Sequence, residues 1–146
     1  MKGGPIQLLL VEDNAADVRL TREALRDAVA QYELHVASNG VEALAFLHSE
    51  PPFAGRSWPD LVLLDLNLPG LSGLEVLTIM KQDPLLRSIP VSILSTSGAA
   101  ADVLSAYDLG ANCYIVKPVG FDEVREVVAA IDRFWFGAVR LPTRVG

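Results

Sequence analysis

Five short apolar runs, each followed by a stretch whose apolar residues recur at helical spacing, constrain this 146-residue chain more than any other feature. The runs are Ile6–Val11 (IQLLLV), 33–37 (ELHVA), 61–64 (LVLL), 90–94 (PVSIL) and Cys113–Val116 (CYIV). Near-continuous apolar strands are those buried on both faces, and strict alternation of such strands with helices demands a parallel sheet. Five units fit a single α/β domain of the flavodoxin-like, doubly wound (βα)5 type, with strand order 2-1-3-4-5. In that order ligands bind beyond the carboxyl ends of the strands, near the switch point between the first and third.

The helices are read from caps and spacing. Asn14 or Asp13 caps the first, with Val18, Leu25, Ala28 and Val29 as its apolar positions. Asn39-Gly40 precedes a second, with Val41, Leu44, Phe46 and Leu47. Pro51-Pro52-Phe53-Ala54-Gly55 breaks it, and 50–59 reads as a loop or insertion. Ser72 caps a third, with Leu74, Leu77, Ile79 and Met80. The fourth, 99–109, stops at Gly110 in a left-handed position. Phe121, Val124, Val127, Val128, Ile131, Phe134 and Trp135 make the clearest amphipathic stripe, so the domain is expected over 1–135 with a C-terminal tail over 136–146.

Charge narrows the function. Lysine plus arginine total 12 against 18 acids, a net charge of −6, which disfavours a sequence-independent nucleic-acid binder. The single cysteine, Cys113, rules out an internal disulfide framework and any CxxC motif. The amino terminus carries no signal-type apolar segment and no run is long enough to span a membrane, so the expected location is the cytoplasm.

The strand ends carry the chemistry. Glu12-Asp13 follow the first strand, Asp65 the third, Ser95-Thr96-Ser97 the fourth, and Lys117-Pro118 the fifth. Two unit charges about 4 Å apart repel by about 4 kcal/mol at an effective dielectric near 20, so three acids converge only if one is protonated or a cation joins them. Hard carboxylate oxygens suit Mg²⁺. His35 and His48 supply no matched metal set. Lys117 is one of three lysines. It could neutralise a bound phosphoryl group, to which Ser95 could donate a hydrogen bond. Asp65 is then a candidate covalent phosphoacceptor in a site governed by positioning and charge. Each residue also has an ordinary reading. Glu12-Asp13 and the Ser95–Ser97 hydroxyls could cap helices, and Asp65 could form a turn; the set at matching strand ends favours the functional one.

With those residues in view, the chain resembles a two-component response-regulator receiver domain over about residues 6–135. The matching pieces are LLLVEDN (8–14), LVLLDLNLPGLSG (61–73), IPVSILSTS (89–97) and CYIVKP (113–118). The resemblance implies that Asp65 accepts the phosphoryl group from a phosphohistidine of a sensor histidine kinase. It implies that Asp13, Asp65 and the backbone carbonyl of Asn67 ligate Mg²⁺ (or Mn²⁺), with Glu12 contributing through water. Ser95 would be the switch hydroxyl, Tyr114 the switch aromatic, and Lys117 the phosphate-binding lysine. The chain resembles most closely the single-domain response regulators that partner bacterial and cyanobacterial phytochromes, on DLNLPG, STS, the long 50–59 segment and FWFGAVRLP (134–142). Glu12 replaces the usual Asp, and Thr96 stands where many receivers carry Ala.

Three other functions compete. An aspartate-nucleophile phosphatase would need an acid two residues beyond its nucleophile, where Asn67 stands. A flavin or nucleotide binder would need a glycine-rich loop after the first strand, where Glu12-Asp13-Asn14 would repel a phosphate. A degenerate receiver acting only as an interaction module would lack part of the residue set. The chain is therefore not expected to be an enzyme beyond its own phosphorylation and dephosphorylation. Only 11 residues follow Trp135, too few for a DNA-binding unit. Output is expected to pass through another protein, a downstream phosphotransfer protein, or a homodimer. From Arg133 onward the acidic chain carries Arg133, Arg140 and Arg144 and no acid, so the tail is expected to pack on its own domain or on a second copy. The resemblance favours a two-fold dimer through the fourth helix, fifth strand and fifth helix, with the tail contributing. Phe136 falls off the helical stripe and is expected to mark an interface if exposed.

Overall fold

The computed structural model describes residues 4–48 and 58–142, and shows a five-stranded, all-parallel sheet in the order β2-β1-β3-β4-β5. The strands are β1 (Ile6–Val11), β2 (Tyr32–Ala37), β3 (Leu61–Asp65), β4 (Val91–Ser95) and β5 (Cys113–Val116). They alternate with α1 (Ala15–Leu25), α2 (Gly40–Leu47), α3 (Gly73–Gln82), α4 (Ala100–Asp108) and α5 (Phe121–Arg133). The expected topology is the observed one. The 50–59 insertion falls outside the described residues except for Trp58 and Pro59.

The central strands are apolar throughout because each feeds two cores. Leu8, Leu10, Leu61 and Leu63 pack with Ile131 and Trp135, below α1 and α5. Leu9, Val11, Val62, Leu64, Val91 and Ile93 pack with Phe46, Val76, Leu77, Met80 and Ala106, below α2, α3 and α4. The period-two alternation of a strand divides each run between the layers.

The caps follow the local chemistry. The Asn14 side chain accepts the N–H groups of Ala16 and Asp17, and Asn39 accepts that of Glu42. Ser72 and Glu75 close a reciprocal capping box. Gly110 ends α4 at φ +107°, where a side chain would be strained. The fourth helix has no side-chain cap at Ala99. Ser97 serves there instead, its hydroxyl accepting the Ala99 N–H and bonding the Asp102 carboxylate.

Several apolar positions depart from the helical reading. Helix α1 ends at Leu25, so Ala28 and Val29 lie beyond it, and Val29 is 95% exposed. Val41 and Ile79 also face outward, while Ala43 and Val76 fill the core in their place. After α5 the chain makes a π-helical turn, Phe134–Ala138. Trp135 is buried as its place on the stripe predicts, but Phe134 is 55% exposed and Phe136 packs edge-on against Tyr32 at 5.4 Å, the reverse of what their spacing predicts. Phe136, Val139 and Leu141 lie against the α1/α5 core of their own domain.

Candidate functional site

Strand register assembles the site. Val11 pairs with Leu64, Asp65 with Leu94, and Ser95 with Val116. The residues just past those pairs, Glu12, Asp65, Ser95 and Lys117, therefore meet at one edge of the sheet. The sequence places all of them there, and the structure brings them together.

Glu12 and Asp65 are 2% and 3% exposed, while Asp13 faces solvent. Carboxylate oxygens of Glu12, Asp13 and Asp65 all lie within 4.8 Å of one another. The Lys117 ammonium sits 2.7 Å from Glu12 Oε1, 3.1 Å from Asp65 Oδ2 and 3.0 Å from Asp17 Oδ2. The Asn67 N–H donates to Asp65 Oδ1 at 3.0 Å, so both oxygens of Asp65 are held by donors. Glu12 Oε2 accepts the Asn14 N–H at 3.1 Å.

Burial pushes the Glu12 carboxyl up to about 7, with the Asp65 charge adding to it and hydrogen bonds from Lys117 and Asn14 opposing it. Burial alone would lower the Lys117 ammonium; its bonds to Glu12 and Asp17 and the charges of Asp65 and Glu12 outweigh that and hold it above its ordinary value. The site is a negative well with one fixed cation. Three hard carboxylates, one of them open to water, and no histidine or sulfur in the group form a donor set that fits a small divalent cation. The histidines lie elsewhere: His35 Nε2 is 2.7 Å from Gln7 Oε1, and His48 Nε2 is 2.8 Å from Asp83.

The neighbouring hydroxyls link two loops. Ser95 is buried and its Oγ accepts the Ser97 N–H at 3.1 Å. The Lys117 N–H donates to the Ser95 carbonyl at 2.6 Å, which ties the end of β5 to the end of β4. The Tyr114 hydroxyl donates to the Ser97 carbonyl at 2.7 Å. Thr96 is exposed beside them. Ser97 caps α4, as the sequence allows, and its carbonyl also holds Tyr114. Asp17 is not singled out by the sequence, because the helix dipole explains an acid in a first turn without any partner.

A family model described as the response regulator receiver domain matches residues 8–129. The chain is similar to the response regulator Rcp1 of Synechocystis sp., 41% identical over 138 residues that make up 94% of each chain. Among solved structures it superposes on the phosphorylated cyanobacterial phytochrome response regulator RcpA with a TM-score of 0.91 and 44% identity, over 96% of this chain and 100% of that one. It also superposes on the Mn²⁺-bound form of Rcp1 with a TM-score of 0.88 and 41% identity, over 95% of this chain and 100% of that one.

Proposed function

The chain belongs to the response regulator receiver domain family, and on that premise we propose that Asp65 takes a phosphoryl group from the phosphohistidine of a sensor histidine kinase of the phytochrome type. The observation that carries this reading is the setting of Asp65: a buried carboxylate whose two oxygens are held by the Asn67 N–H and the Lys117 ammonium beside Glu12 and Asp13. An Asp65 oxygen attacks phosphorus, the P–O bond forms as the P–N bond breaks, and the imidazole leaves. Positioning and charge stabilisation do most of the work in such a transfer. Lys117 neutralises one of the phosphoryl oxygens, and the Ser95 hydroxyl donates to another. Glu12, Asp13, Asp65 and the Asn67 carbonyl would hold Mg²⁺ or Mn²⁺, whose charge offsets that of the phosphoryl oxygens. The phosphorylated relative RcpA and the Mn²⁺-bound relative Rcp1 support both halves of the proposal.

The product is a signal. A phosphoryl group at Asp65 draws the Ser95 hydroxyl inward, moves the backbone N–H of Ser97 with it, and releases Tyr114 from the Ser97 carbonyl. This biases an equilibrium between two arrangements of the β4–α4 loop through contacts made in only one of them. The apolar side chains Leu104, Tyr107 and Val116 are exposed on α4 and β5. They support a two-fold homodimer, or a downstream phosphotransfer protein, as the reader of that change. No helix among the described residues is long and apolar enough to cross a membrane, and we assign the protein to the cytoplasm beside its kinase.

The test is direct. Acetyl phosphate with Mg²⁺ adds one phosphoryl group in intact-protein mass spectrometry, and Asp65→Asn takes none. Labelling that persists in Asp65→Asn overturns the assignment.

A further inference from the structure

Lys117 serves three carboxylates, and one of them belongs neither to the phosphoacceptor nor to the cation-binding group. An ammonium has three N–H groups and no acceptor, so Glu12, Asp65 and Asp17 together occupy its whole capacity. Glu12 and Asp65 are members of the carboxylate group that fits a cation, whereas Asp17 is not. The Asp17 side chain is 37% exposed, and it reaches Lys117 from the first turn of α1. Its backbone is pinned on both sides: the N–H donates to Asn14 Oδ1 at 3.1 Å, and the carbonyl accepts the Thr21 hydroxyl at 2.9 Å. Asn14 already satisfies the first N–H groups of the helix, which leaves the Asp17 carboxylate free to point across to the lysine.

We infer that Asp17 is a positioning residue, which keeps hold of the Lys117 ammonium while Glu12 and Asp65 turn to a cation and an incoming phosphoryl group. The inference rests on the phosphoacceptor reading of Asp65. Lysine is a point charge on a flexible four-carbon stem, and two of its three partners are re-employed when the site loads. A cavity of about 40 Å³, lined by Glu12, Asp17, Thr21, Lys117 and Val124 among others, opens beside the ammonium. Without its anchor the side chain has room to leave the line of the phosphoryl oxygens. With one N–H fixed on Asp17, the other two stay directed at the reacting group, and their ordering is complete before the reaction begins.

The experiment compares the full chain with Asp17→Asn and Asp17→Glu, loaded with acetyl phosphate across a Mg²⁺ series and followed by intact-protein mass spectrometry. Loss of a group that acts at one remove costs less than loss of a direct electrostatic contact, so Asp17→Asn loads about tenfold more slowly at saturating Mg²⁺. The half-saturating Mg²⁺ concentration stays unchanged, since Asp17 is no cation ligand. Asp17→Glu, whose carboxylate still reaches the lysine, recovers most of the rate. Asp17→Ser serves as a second variant with the same expectation, its hydroxyl being favourable near a helix start. Loading of Asp17→Asn within twofold of the parent, or faster than it, overturns the inference. So does a rate loss that appears only as a raised Mg²⁺ requirement. A parent protein that takes no phosphoryl group overturns the phosphoacceptor reading and this inference with it; parent and variant loading alike overturns this inference alone.

Discussion

Gly73 opens α3 with its Cα pressed against the end of β3. A Cβ there would stand 2.6 Å from the Leu66 Cα and closer still to the Asp65 carbonyl oxygen, and both obstacles are backbone. Alanine adds about 1 kcal/mol of helix propensity, but a clash that backbone cannot relieve costs about 1–3 kcal/mol. Gly73→Ala is therefore expected to lower stability by up to about 2 kcal/mol in urea unfolding. It is also expected to slow loading of Asp65, because the strand end that carries the proposed phosphoacceptor must shift. Ser95 makes a second test. Ser95→Ala leaves the Ser97 N–H without its acceptor, a loss of about 1 kcal/mol. The variant still takes a phosphoryl group, and its partner affinity responds weakly to it. A response as large as the parent's would remove Ser95 from the relay.

At the level of the element, α5 carries more than its apolar stripe. Asp132 is 6% exposed beside Ile131 and Trp135. It accepts the Val29 N–H at 2.8 Å, the Ala30 N–H at 3.3 Å and the Tyr32 hydroxyl at 2.7 Å. One carboxylate thus fastens the α1–β2 connection to α5. Burial by itself would raise the Asp132 pKa, but the Tyr32, Val29 and Ala30 hydrogen bonds and the Arg133 charge hold it below the ordinary carboxylate value. A depressed native pKa contributes stability above the unfolded-state value, about 3.9, and that contribution is lost as pH falls through the native one. Asp132→Asn is expected to cost about 2 kcal/mol at neutral pH. The gap from the parent should close under acid, with urea midpoints converging below about pH 3.9. A gap independent of pH would show that the carboxylate charge is not what fastens the connection.

For the whole molecule, the sheet divides two cores, and the chain beyond α5 completes one of them. Phe136, Val139 and Leu141 cover the α1/α5 side, and Pro142 reaches the groove formed by Trp58, Pro59, Asp60 and Ser88. Three half-buried apolar side chains contribute about 3 kcal/mol together. Deleting residues 136–146 is therefore expected to lower Tm by about 6–12 °C. Light scattering at micromolar concentration checks the other role of the tail. A truncated chain that melts early but keeps its assembly state assigns the tail to its own domain. One that melts like the parent and dissociates assigns it to the interface between copies.

The architecture and the acidic site were legible in residue order because both depend on local rules. Strands buried on two faces must be apolar along their length, so LLLV and LVLL announce themselves, and the edge strand CYIV is marked by its short apolar run alone. Parallel strands also end on one edge, which places Glu12, Asp65, Ser95 and Lys117 together before any distance is known. Asn14, Ser72 and Gly110 are legible for a similar reason, since a cap acts on backbone within three or four residues of itself. The Asp17–Lys117 pair and the Asp132 bracket were not legible. Each joins elements about a hundred positions apart, and an acid on a helix surface reads the same whether it meets water or a lysine. The exchange of Phe134 for Phe136 has a comparable origin. The π-helical turn after Arg133 rotates the last aromatics off the 3.6-residue period, and only packing against Tyr32 and the far face of the sheet decides which of them is buried.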